Sequence, residues 1–172
     1  MKRICFIGAF ILIASFNILA QKGHRNLHNI TTFIVIRHAE KSKEEGKDPE
    51  LSAEGTERSK KLAQMLHDSG VTAIYSTNYK RTRNTVTPLA TEKGIDIQLY
   101  ESFTSVTIDE VIHKHAGETI VISGHSNTVP GIVNLLIGSS RFKDLDDSNF
   151  STMFIVAVAE RGKVASVTQL QY

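Results

Sequence analysis

Cysteine is nearly absent. The chain has one, Cys5, among 172 residues, and it lies at the start of an apolar run rather than at its end. No intrachain disulfide can form from a single thiol, and a lipidated cysteine would have to follow the leader's cleavage point. Net charge is also scarce. The 20 basic and 18 acidic residues differ by two, and Lys2 and Arg3 of the leader account for that difference, leaving 18 against 18. A neutral chain without a Lys/Arg cluster interleaved with aromatics offers no surface for DNA or RNA. The glycine-rich loop that cradles phosphates through backbone N–H groups is missing as well. With 41% hydrophobic and 22% charged residues the composition is that of an ordinary globular domain, neither fibrous nor disordered.

What is present begins with a leader. Lys2-Arg3 precedes the apolar run Ile4 to Ala20, and Ile18-Leu19-Ala20 forms a loose A-x-A-like site before Gln21. This is the pattern of a secretory signal peptide cleaved after Ala20, which implies a periplasmic or secreted protein. The competing reading is an uncleaved anchor, but the run is near the lower limit for a spanning helix and carries Ser15 and Asn17. Without its leader the chain would be free of cysteine, which suits an oxidising compartment, and would have no membrane span. Residues 1–20 are thus read as signal peptide, 21–31 as a flexible lead-in with solvated His24 and His28, and 32–172 as one domain.

Four segments in that domain share a pattern, an apolar run that ends in charged or polar residues. Phe33-Ile-Val-Ile36 runs into Arg37-His-Ala-Glu-Lys-Ser42, Val71 to Tyr75 into a stretch with Lys80, Arg81 and Arg83, Ile95 to Tyr100 into Glu101, and Thr119 to Ser123 into Gly-His-Ser-Asn-Thr128. The runs read as buried strands, the third, with its period-two alternation, as a strand nearer the sheet edge. Between them lie an exposed loop 43–50 and helices from Ser52, with Leu62, Met65 and Leu66 on one face, from Thr82 to Lys93 despite Pro88, from Thr107 to His115, and from Val129 to Ile137. Residues 139–151 read as a polar loop, and 152–159 with 163–170 as a β-hairpin. The expected architecture is three-layer α/β/α, with a mostly parallel sheet and a C-terminal hairpin.

In a parallel sheet those four ends lie along one edge, where ligands of open α/β folds bind. Two arginines, two histidines and a carboxylate gathered there would be costly for stability alone. An anion makes the cluster reasonable. A phosphate monoester carries about 1.5 to 2 negative charges at neutral pH and matches guanidinium groups in bidentate fashion.

Arg37-His38-Ala39-Glu40 resembles the Arg-His-Gly/Ala signature of the histidine phosphatase superfamily, the phosphoglycerate mutase-like fold. Ser76-x4-Arg81-Thr82-x2-Thr85 is similar to its second arginine motif, and Gly124-His125-Ser126 to its second histidine motif. The resemblance implies a phosphomonoester hydrolase that needs no cofactor and no metal and acts on a small phosphorylated substrate, a phosphosugar or another phosphomonoester. It implies that His38 is the nucleophile and that Arg37, Arg81 and His125 cradle the phosphate. Glu101 is the expected proton donor, with Glu40, Asp109 and Glu110 as competitors. Asn127, Thr128, Lys41 and Ser42 lie near the site in sequence, Asn127 being assigned to phosphate binding. The chain lacks the length for the insertions of the glycolytic mutases, so mutase activity is disfavoured. Three rival readings remain: a metal-dependent hydrolase using His113, His115, His38 and His125, a phospho-ligand binding module without turnover, and a small phosphatase acting on phosphohistidine in a signalling protein, which needs a cytoplasmic address and which the leader argues against. His67, His113 and His115 are otherwise read as solvated or capping groups at helix ends, and Asp144 to Asn149 as a solvated loop.

Overall fold

The computed structural model describes residues 30–43 and 46–172. Residues 1–29, which hold the segment read as a signal peptide and the lead-in with His24 and His28, lie outside the described residues.

Strand β1, Thr31–Arg37, shows why a continuous apolar run was needed. Phe33, Ile34, Val35 and Ile36 are at most 3% exposed. Successive side chains of a strand point to opposite faces. Phe33 and Val35 accordingly join a core with Ile108, Val111, Val129 and Leu136, whereas Ile34 and Ile36 join a second core with Leu62, Leu66, Val86 and Leu89. Apart from Leu66, the C-cap of the first helix, these partners belong to helices α1 (Ala53–Met65), α2 (Lys80–Lys93), α3 (Ser105–Lys114) and α4 (Thr128–Ile137). Helices α1 and α2 therefore cover one face and α3 and α4 the other.

The remaining strands are β2 (Val71–Ser76), β3 (Ile97–Leu99), β4 (Thr119–Gly124), β5 (Thr152–Glu160) and β6 (Val164–Gln171), in the order β3-β2-β4-β1-β5-β6. β3, β2, β4 and β1 pair in parallel, while β5 runs antiparallel to β1 and β6 antiparallel to β5. The three-layer sheet with its hairpin is as the sequence implied. The third strand is the edge strand expected of its alternation, though only three residues long.

Several local readings need correction. Met65 is 47% exposed, and the buried face of α1 consists of Gly55, Ser59, Leu62 and Ala63, with Leu66 just beyond. Helix α2 begins at Lys80, two residues before the expected Thr82, so Arg81 and Arg83 stand in its first turn, and it continues through Pro88 to Lys93. Helix α3 starts at Ser105, where Thr104 and Thr107 form a reciprocal capping box. The 139–151 segment has no regular structure, as expected, but it is more than a solvated loop, as the site shows.

Candidate active site

The carboxyl edge of the parallel strands opens into a cavity of about 770 Å³ lined by Arg37, His38, Arg81, Glu101, His125 and Asn127. Lys41 and Thr128 line it too, and Ser42 does not. The residues singled out at four separate strand ends are thus brought together.

Each is placed by its element. His38 follows the last residue of β1, and its backbone N–H donates to the Gly124 carbonyl at 2.9 Å, continuing the ladder toward His125. The imidazole Nδ1 lies 2.7 Å from the carbonyl oxygen of Ala39. A carbonyl only accepts, so Nδ1 carries the hydrogen and Nε2 keeps its lone pair. His125 stands 5.5 Å away, ring centre to ring centre, at an interplanar angle of 67°. Its Nε2 is 3.0 Å from Thr77 Oγ1.

Both rings are held neutral. Burial pushes His38 down to about 4, helped by the charges of Arg37 and Arg81 and by His125, against a rise from the bond to Ala39. His125 is also lowered to about 4, by burial and then by Arg81 and Arg37.

Arg37 is 5% exposed, and its position answers to the 139–151 segment. Nη1 donates to the carbonyls of Asp146, Asp147 and Asn149 at 2.9, 3.1 and 3.0 Å, and the Phe150 ring centre is 4.1 Å from the guanidinium carbon. Nη2 lies 3.8 Å from the exposed carboxylate of Asp147. Phe150 also reaches the His38 ring, at 5.9 Å. The cost of burial lowers the pKa of Arg37 from its usual value, offset in part by Asp147 and Asp146. Nothing in residues 144–150 announced this role, because most of it is performed by backbone carbonyls, which carry no sequence signature.

Arg81 is held from two sides. Its guanidinium carbon sits 4.4 Å over the Tyr79 ring, and Nη1 is 3.6 Å from Asp48. Asp48 Oδ1 also accepts the backbone N–H of Lys80 at 2.9 Å, capping a helix whose own N-cap residue, Tyr79, makes no side-chain cap bond. The threonines of the arginine motif have a visible purpose. Thr85 Oγ1 donates to the Arg81 carbonyl at 2.7 Å and accepts the Ala39 N–H at 2.8 Å, tying α2 to the loop of His38.

Of the four carboxylates considered for proton transfer, Glu101 alone lines the cavity. Glu40 is turned away, chelated by Arg58 at 2.6 to 2.9 Å. Its carbonyl packs so closely on Gly55 of α1 that a Cβ there would come within 2.1 Å of the oxygen. Asp109 pairs with Arg161 at 2.5 Å, and Glu110 is exposed outside the cavity.

The four histidines of the metal reading are not brought together. His115 is the C-cap residue of α3, as one of its two readings had it, but it is buried rather than solvated, 6% exposed and bonded to Tyr75 and Glu118 at the amino edge of the sheet, while His113 beside it is exposed. Among the described residues no group of three or more His, Cys, Asp or Glu is arranged to hold a metal ion.

The profile of the histidine phosphatase superfamily (branch 1) matches residues 33–106, from the first core residue of β1 into α3. Solved structures share the fold. The protein histidine phosphatase SixA complexed with tungstate aligns at a TM-score of 0.64 and 13% identity, over 81% of this chain and 96% of the other. A mycobacterial glucosyl-3-phosphoglycerate phosphatase aligns at 0.62 and 11% identity, over 84% and 99%. A phosphoserine phosphatase of Entamoeba histolytica in complex with 3-phosphoglyceric acid aligns at 0.58 and 17% identity, over 72% and 90%. No curated protein sequence matches the chain. Residues 33–106 of the chain are thus similar to the histidine phosphatase superfamily, and the chain shares the fold of these phosphatases. No helix among the described residues is long and apolar enough to cross a membrane.

Proposed function

We propose that the chain is a phosphomonoester hydrolase that works through a phosphohistidine on His38, without a metal ion, and acts outside the cytoplasm. The observation that carries this reading is the state of the His38 ring. A neutral imidazole with Nδ1 tied to the Ala39 carbonyl keeps its Nε2 lone pair available beside two guanidinium groups. That is what an attack on phosphorus needs.

In the proposed sequence, Arg37, Arg81 and His125 hold the equatorial oxygens, with Asn127 at the rim, and Nε2 of His38 displaces the alkoxide. Phosphoryl transfer draws its rate mainly from positioning and charge stabilisation, so the buried guanidinium of Arg37 serves both. Glu101 protonates the leaving oxygen and then activates the water that cleaves the P–N bond, regenerating His38 and releasing inorganic phosphate. The substrate is a small phosphorylated molecule, consistent with the names of the structural relatives. The leader at residues 2–20 is the ground for the address.

The test is hydrolysis of a chromogenic phosphate ester with and without chelator. Activity that survives chelation and disappears in His38→Ala, with acid-labile label retained on the wild-type protein after a quench, supports the reading. Activity lost to chelator overturns the metal-free route, and full activity in His38→Ala overturns the nucleophile.

A further inference from the structure

The hydroxyl chain behind His125 carries an inference that rests on the reading of His125 as a phosphate ligand. Thr77 and Thr82 are buried, at 5% and 0% exposed. Thr82 Oγ1 lies 2.8 Å from the Thr77 carbonyl and 2.9 Å from the Tyr79 carbonyl. A hydroxyl has one hydrogen, and carbonyls only accept. With two carbonyls in reach, Thr82 gives its hydrogen to them and accepts from Thr77, whose Oγ1 is 3.0 Å away. Thr77 has then spent its own hydrogen, so at His125 Nε2, 3.0 Å off, it is an acceptor.

We propose that Thr77 is a positioning residue which, backed by Thr82, holds His125 as the Nε2–H tautomer, so that its Nδ1 meets an incoming phosphate as a lone pair and takes up a proton when the anion binds. The proton comes from the hydroxyl of a singly ionised phosphate or, when the dianion binds, from solvent. Either way the bound state is an imidazolium beside a dianion: an N–H bond forms at Nδ1 and the O–H bond that carried the proton, on the phosphate or on the solvent donor, is broken.

The surroundings of His125 agree with this order of events. In the free protein the ring faces the guanidinium groups of Arg81 and Arg37, the neutral His38 ring and the edge of Tyr79 at 5.1 Å. Glu101, Asp147 and Lys41 share the cavity, but no carboxylate among the described residues is bonded to the ring. A second positive charge is therefore disfavoured until an anion arrives, and favoured afterwards. The two histidines thus hold complementary tautomers, His38 with Nδ1–H fixed by the Ala39 carbonyl and His125 with Nε2–H fixed by the Thr77 hydroxyl.

The experiment is ¹⁵N NMR of the histidine-labelled full chain at pH 7, which distinguishes protonated from lone-pair ring nitrogens, with His125→Gln to assign the signal. The expected result is an Nε2–H tautomer in the free protein and a doubly protonated ring once inorganic phosphate is added. Calorimetry of phosphate binding in two buffers of different ionisation heat should then show uptake of close to one proton at pH 8. Thr77→Val should mix the tautomers and lower kcat/KM by about tenfold, the scale of one hydrogen bond, chiefly through KM, with Thr77→Ser restoring both. An Nδ1–H tautomer in the free wild-type protein, phosphate binding without proton uptake, or an unchanged tautomer in folded Thr77→Val overturns the proposal. The tautomer is read without turnover. A chain that hydrolyses no phosphate ester but shows the expected tautomer would sink the phosphatase reading and leave the role of Thr77 standing.

Discussion

Buried histidines stand at both ends of the same sheet, and their surroundings are opposites. At the amino edge, His115 has every ring nitrogen partnered, Nε2 by the Tyr75 hydroxyl at 3.0 Å and Nδ1 by the Glu118 carboxylate at 2.7 Å, which Thr72 secures in turn at 2.8 Å. Its carbonyl accepts from Thr31, so one residue joins the end of α3 to the starts of β1 and β4. At the carboxyl edge, His38 and His125 have no carboxylate partner among the described residues. They face each other and two arginines across a cavity. A polar group that is fully partnered belongs to stability, whereas like charges gathered around neutral rings cost stability and make sense only when something else binds there.

The sharpest way to break that comparison is to delete one histidine at each edge. His38→Ala should lower kcat toward a phosphate ester by about a thousandfold or more, as losing a nucleophile does, with the melting temperature nearly unchanged or raised. His115→Ala should leave kcat/KM within about twofold and cost about 2 kcal/mol or more of stability from the orphaned partners, read by urea unfolding. If His115→Ala were the inactive variant, the assignment of the two edges would be reversed. Arg37→Ala comes next, with an expected loss on the order of a hundredfold in kcat, measured in steady state.

Smaller and more discriminating is Asp48. Asp48→Ala removes both the helix cap and the ion pair to Arg81 and should cost about tenfold in kcat/KM, while Asp48→Asn keeps the cap acceptor and most of the activity. In an Arg81→Ala background Asp48→Ala should cost little more, since a double-mutant cycle isolates the coupling. The smallest effect concerns acid. His38 and His125 have folded values near 4, below the ordinary value near 6.5. The unfolded chain therefore binds more protons between those limits, and stability falls as pH drops from about 6.5 toward 4. Replacing both histidines by Gln should flatten the change in urea midpoint between pH 7 and pH 4.5, and an undiminished slope would show that neither ring is held neutral.

The comparison also shows what was legible beforehand. The carboxyl edge could be read because its residues are side chains at strand ends, and strand ends are marked where an apolar run stops, as at Ile36 and Ser123. Glu101 was legible in the same way. His115 was not, because its partner Tyr75 is 40 residues away and its burial depends on how α3 returns across the sheet. The exposed Met65 was missed because spacing yields to tertiary packing. The grip of residues 146–149 on Arg37 had no residue code to read, since any chain presents the same carbonyls.

That β5 runs against β1 has a consequence for how this framework can diversify. Its amino end falls at the same edge as His38, so the segment entering it delivers Asn149 and Phe150 to Arg37 as an unavoidable part of finishing the sheet. The stretch upstream, residues 139–145, is largely solvent-facing and carries none of those contacts. Insertions there would reshape what flanks the entrance while the arginine clamp and the ladder stay as they are. The direction of a single strand thus separates the part of the molecule that must be kept from the part free to acquire a new specificity.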